Sequence, residues 1–197
     1  MIYESGFWKE DLLKQSKALR ARMVQKRWTE NSFARLEQTV MLGFYSIRKL
    51  IEAKKLSDSV VNKSITVNFH KWKGNPVTKM NWSDIDKLYD IDSENSVTKD
   101  LVFFCHQFVH SYIFVASFDE NNYLDGIFIS SDRERHKALY FIKIHQIIEF
   151  FEQVGNDYPS SGSFIFDEKL GDYRVLNLSR DDPDFIAKIQ KFNGFNV

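Results

Sequence analysis

Five histidines and a single cysteine are the residues of this 197-residue chain best suited to proton transfer, metal ligation or nucleophilic attack. Three of them fall together in Cys105-His106-Gln107-Phe108-Val109-His110. Residues four apart on a helix share a face, so His106 and His110 are spaced to hold one ion or to act on one proton. A HExxH zinc helix needs a glutamate after its first histidine, and Gln107 stands there instead. A third ligand would have to come from His70, His136, His145 or a carboxylate, so no metal or cofactor is expected. Cys105 and His106 are adjacent on a helix and do not face each other, which leaves the thiol without a base. Within Phe103-Phe104-Cys105 it reads as a small core residue.

The carboxylates offer less. Asp84, Asp86, Asp90, Asp92 and Glu94 lack the mid-loop glycine of a calcium loop and read as a solvated acidic turn. Asp167-Glu168-Lys169, with Asp157 upstream, resembles an acid-x-lysine nuclease core only loosely and reads as a charged turn. Cations are more suggestive. From Lys14 to Arg27 there is no acid, and Lys14, Lys17, Arg20, Arg22, Lys26 and Arg27 form a dense basic run fit to contact phosphates or simply to face solvent. Arg133, Arg135, His136 and Lys137 give a second basic connection, suited to a phosphate, to an acidic partner or to solvent.

Elements must position these groups. Trp8, Leu12, Leu19 and Met23 make a narrow helical stripe over 5–27. Thr29 is a cap for a second helix to about Lys55, with Trp28 and Phe33 as a staple, and Phe33, Leu36, Val40, Phe44, Ile47 and Ile51 recur at helical spacing. The short link makes the two a long helical hairpin. Ile65, Val67 and Phe69 alternate with polar residues as a strand. After a Gly74-Asn75-Pro76 loop, Asn81 or Ser83 caps a short helix bearing Ile85, Leu88 and Tyr89. Ser96 caps the central helix, which reaches Ser111 or Tyr112 and, apolar on both sides, is expected to be buried on both. Tyr112–Phe118, Tyr123–Ser130 and Ala138–Lys143 follow as an antiparallel meander. Ile147 to Val154 form a helix closed by Gly155. Phe164–Phe166 and Tyr173–Leu178 make a hairpin, and Asp182-Pro183 opens a last helix that Gly194 ends.

The segment His106-Gln107-Phe108-Val109-His110-Ser111-Tyr112 resembles the late helix of HEPN domains, helical-bundle proteins that include metal-independent ribonucleases and partners of nucleotidyltransferases in toxin–antitoxin and defence systems. Their motif sets an arginine, then a polar residue, four to six positions before a histidine, often with a tyrosine two residues later. His110 and Tyr112 match, His106 takes the polar position, and Cys105 stands where the arginine belongs. The resemblance implies His110 as general base toward an RNA 2′-hydroxyl, a cation from elsewhere, such as Arg20 or Arg48, and a homodimer. It covers about eight residues, is compatible with the helical hairpin and leaves the β-rich half unaccounted for.

The expected architecture is therefore α+β in one domain over 1–197, helical to 111 and strand-containing from 112. With 43% apolar residues the chain is long enough for one core. One cysteine makes no intrachain disulfide, and Lys9, Glu10 and Asp11 arrive too early for a signal peptide, so a soluble cytoplasmic protein with no membrane span is expected. Net charge is zero, but residues 1–55 hold 12 Lys/Arg against 6 Asp/Glu, and the rest hold 15 against 21. Such asymmetry fits a polyanion partner or complementary surfaces within one molecule or dimer. The leading expectation is an RNA-binding or RNA-cleaving component with His110, Tyr112 and His106 at its site. The alternative is a non-enzymatic protein-interaction module. The two central histidines are expected to be hydrogen-bonded within the core unless His110 is functional.

Overall fold

The computed structural model describes residues 2–93, 95–179, 182 and 185–194. Glu94 of the acidic turn and Pro183, the expected first helical position, lie outside them. The fold is α+β. Two long antiparallel helices, α1 (Ser5–Met23) and α2 (Glu30–Glu52), lead through a short α3 (Asp58–Val61) to strand β1 (Ser64–Lys71). Then come α4 (Ile85–Leu88), β2 (Asn95–Asp100), α5 (Leu101–Val109), and the meander β3 (Ser111–Phe118), β4 (Leu124–Ser131), β5 (Ala138–Lys143). Helix α6 (Ile144–Asn156), the hairpin β6 (Ser161–Asp167) and β7 (Asp172–Leu178), and α7 (Phe185–Phe192) complete it.

The main sheet has the order β2-β1-β5-β4-β3, antiparallel throughout, so it draws on strands from both sides of residue 111. Its alternation decides what it covers. Val67, Ile127, Ile129, Tyr140 and Ile142 join Leu12, Val40, Phe104 and Phe151 of α1, α2, α5 and α6 in one core. The intervening Leu139 and Ile113 pack on the other face with Val77, Leu88 and Tyr89.

Caps set the boundaries. Thr29 accepts the Ser32 amide and Trp28 packs on Phe33 with centroids 5.2 Å apart, as expected of a capped and stapled start. The far end stops at Glu52 rather than Lys55. Lys54 turns left-handed (φ 54°), and the Lys55 amide reaches back to the Leu50 carbonyl at 2.9 Å while the Lys54 amide takes that of Ile51. This is a Schellman closure with lysine in the usual glycine position.

Three expectations are corrected. Ser96 does not cap the central helix: residues 95–100 are an edge strand on β1, and Asp100 caps α5 through the Phe103 amide at 2.7 Å. Neither Asn81 nor Ser83 caps α4, which starts after Asp84, while Asn81 Oδ1 takes the Thr78 amide. Gly155 lies inside α6 rather than after it. A Cβ there would meet the Leu13 side chain at 2.6 Å, so the glycine lets α6 approach α1. Among the described residues no helix is long and apolar enough to cross a membrane.

Candidate functional site

Helices α2 and α5 are registered by one aromatic stack. Phe44 and Phe108 lie nearly parallel (8°) with centroids 4.1 Å apart, and both are fully buried. Arg48 follows Phe44 by one helical turn and His110 follows Phe108 by two residues, so the stack carries Arg48 to the end of α5. There Arg48 Nη1 lies 2.9 Å from His110 Nε2 on the protein surface. A guanidinium only donates, so Nε2 accepts and the ring's own proton sits on Nδ1. The other arm of Arg48, Nε, donates to Glu52 Oε1 at 2.8 Å. Glu52 also takes the Lys49 ammonium at 2.7 Å, and these two cationic partners hold its carboxyl below the ordinary value.

The end of α5 is pinned from the sheet side. Gln107 is buried, and its Oε1 accepts the Ser131 amide at 2.9 Å, while the His110 carbonyl accepts the Asp132 amide at 3.0 Å. Strand β3 leaves at once with Tyr112, over whose ring the Arg135 guanidinium stacks 3.8 Å from the centroid. Arg135 Nη1 in turn contacts Asp132 at 3.4 Å, and Tyr89 Oη donates to the Arg135 carbonyl. The His106 ring lies beside that of His110, 6.1 Å between centroids and 21° from parallel. His106, His110 and Arg48 thus share one surface at the end of α5, while Tyr112 packs with the Tyr89 cluster on the other face of the sheet.

The two histidines are exposed rather than buried, and α5 hides only one face, through Leu101, Phe104, Cys105, Gln107 and Phe108. Within α5, Gln107 rather than either histidine is the polar residue that is buried. Of the two arginines left open by the sequence, Arg48 stands at His110, while Arg20 is paired with Glu152 at 2.7 Å on α6. Arg135 and Glu52 carried no motif; only the charged loop after β4 hinted at the former.

The remaining candidates disperse. Lys14 pairs with Asp11, and Arg22 bonds the Gln25 side chain, while Lys26 approaches the Tyr123 ring at 5.8 Å; Lys17 and Arg27 are exposed. His70 is buried beside the Asp90 carbonyl, His136 Nε2 accepts the Val77 amide, and His145 is exposed on α6. Among the described residues, no three His, Cys, Asp or Glu stand together as a metal site. Cys105 is buried, and desolvation pushes its thiol up to about 12, which keeps it protonated and inert at neutral pH. Asp167 closes its own turn through the Lys169 amide and pairs with Arg174.

One buried cation was unforeseen. Lys9 is 1% exposed and donates to the carbonyls of Lys55 and Asp157. Desolvation lowers its pKa, so the carbonyls and the nearby Asp157 carboxylate are what keep an ammonium tolerable there. It ties α1 to the ends of α2 and α6. Compared with protein-family models, with curated proteins and with solved structures, the chain has no match in any of the three.

Proposed function

We propose that this chain binds and cleaves single-stranded RNA without a metal, in the manner its HEPN resemblance implies, as a component of a toxin- or defence-type system. The observation that carries the reading is the 2.9 Å approach of Arg48 to His110 on an open surface, which supplies the cation that the motif lacks at Cys105. His110 Nε2 takes the proton of a ribose 2′-hydroxyl as that oxygen attacks the adjacent phosphorus. Arg48 moves from the neutral imidazole to the phosphate oxygens, with which it forms stronger charge-assisted bonds, and stabilises the phosphorane. The 5′-oxygen leaves with a proton from His106, whose ring is 6.1 Å away, giving a 2′,3′-cyclic phosphate and a 5′-hydroxyl. A homodimer, implied by the same resemblance, would set two such sites side by side.

The test is cleavage of a labelled single-stranded RNA in the presence of a chelator. His110→Ala is expected to lower the rate by about 10²- to 10⁴-fold with the circular dichroism spectrum unchanged, because the ring is exposed. Arg48→Lys keeps the charge but loses the fork between His110 and Glu52, and is expected to fall nearly as far. A native protein that cleaves no RNA, or an unimpaired His110→Ala, refutes the proposal.

A further inference from the structure

A cleft of about 770 Å³ opens where the start of α1 and the end of α2 face the β6–β7 hairpin. Its aromatic lining includes Trp8, Phe164 and Tyr173, and Phe164 and Tyr173 remain 64% and 55% exposed. They lie on one face of the hairpin, because Phe164 pairs with Val175 and Phe166 with Tyr173, which stack edge to face at 5.3 Å. The cationic lining is Lys49, Lys54 and Lys55. Two carboxylates share the cleft, but both are engaged: Glu52 holds Arg48 and Lys49, and Asp172 accepts the Tyr173 amide at 2.7 Å. Glu52, one helical turn (about 5.4 Å) along α2 from Arg48, therefore lines the cleft and also bonds the arginine that reaches His110.

We infer that this cleft holds the flanking bases of the RNA that reaches His110, Phe164 and Tyr173 stacking on bases and Lys54 meeting the phosphates. The assignment rests on the reading of His110 as an RNA site. Aromatic faces accept any base, and lysines without a guanidinium fork read charge rather than base edges, so the cleft recognises single strands without sequence preference. An interface with a protein would bury these aromatics dry; here Lys54 and Lys55 line the same surface, which suits a polyanion. The exposed rings thus have an occupant that satisfies both their faces and their charged rim.

The experiment measures fluorescence anisotropy of a labelled ten-nucleotide RNA, and of an abasic strand of equal length, with the full-length chain. The doubly substituted Phe164→Ala/Tyr173→Ala protein is expected to bind the RNA roughly ten- to hundredfold more weakly and the abasic strand as the native protein does. Lys54→Gln, an exposed change, is expected to weaken both strands and to flatten the salt dependence. Equal binding of the two strands by the native protein, or an unaffected double variant, overturns the cleft. So does a native protein that binds no single strand, although cleavage lost in His110→Ala would then leave the catalytic reading standing. Binding through Phe164 and Tyr173 without any cleavage does the reverse, keeping the cleft and removing the catalysis.

Discussion

His110 sits where a helix ends against a strand over a filled core, whereas Tyr173 stands on a two-stranded ribbon held to the body by few side chains. Around His110 the neighbours are held in place: Phe108 by its stack on Phe44 and its edge contact with Phe114, Gln107 by Ser131, and the backbone by Asp132. The ribbon is tied mainly by Asn177, whose Nδ2 donates to the carbonyls of Lys54 and Leu56 at 2.8 and 3.2 Å, and by α3 against β7. On the proposed reading, the contrast separates two requirements of one function. Proton transfer needs groups held within a fraction of an ångström, while capture of a flexible strand tolerates a surface that gives.

Removing the stack should break the rigid member outright. Phe108→Ala leaves a cavity between α2 and α5, and a loss of about 3–5 kcal/mol in urea unfolding is expected. Because the stack sets the Arg48–His110 distance, cleavage should fall even below the denaturation midpoint, where RNA binding by the hairpin is expected to persist. Equal losses in binding and cleavage would mean that the two regions are not separable. The tether of the other member is a smaller matter. Asn177→Ala removes the donor from the buried Leu56 carbonyl and the part-buried Lys54 carbonyl, costing about 1–3 kcal/mol. Hydrogen exchange should then rise in 161–178 and not in α5, with weaker RNA binding and an unchanged cleavage rate at saturating RNA.

The difference between the regions also explains what could be read from the sequence. Helix α2 was legible because Leu36, Val40, Phe44 and Ile47 repeat over several turns and are buried as the spacing requires. Residues 95–100 were not, since Val97 alone is apolar and the strand exists by pairing along β1, including Thr66 with Thr98 at 2.9 Å. The burial of α5 was overestimated for a related reason. Its apolar run suggested a helix hidden all round, yet over nine residues one face points out, and the histidines take that face. His110 as the candidate was legible from its motif; its approach to Arg48 depends on the register that Phe44 and Phe108 impose from 64 residues apart in sequence. Lys9 gave no signal, because its partners are backbone carbonyls at distant helix ends.

The smallest expected effect lies outside both regions. Arg20 and Glu152 form a two-pronged pair at 3.0 and 2.7 Å joining α1 to α6, but the arginine is more than half exposed and solvent screens the pair. Arg20→Ala should therefore leave stability at neutral pH almost unchanged, read as a urea midpoint close to that of the native protein. The sign of its pH dependence follows from Glu152, whose carboxyl Arg20 holds below the ordinary 4.5. A depressed carboxyl contributes stability above its unfolded pKa and loses it as pH falls through the folded value, so the difference between native and Arg20→Ala proteins should shrink to nothing in acid. RNA cleavage should not change, since the arginine at His110 is Arg48. A large loss of cleavage in Arg20→Ala with stability intact would move the functional cation from the rigid corner to the basic helix and undo the comparison from its stronger side.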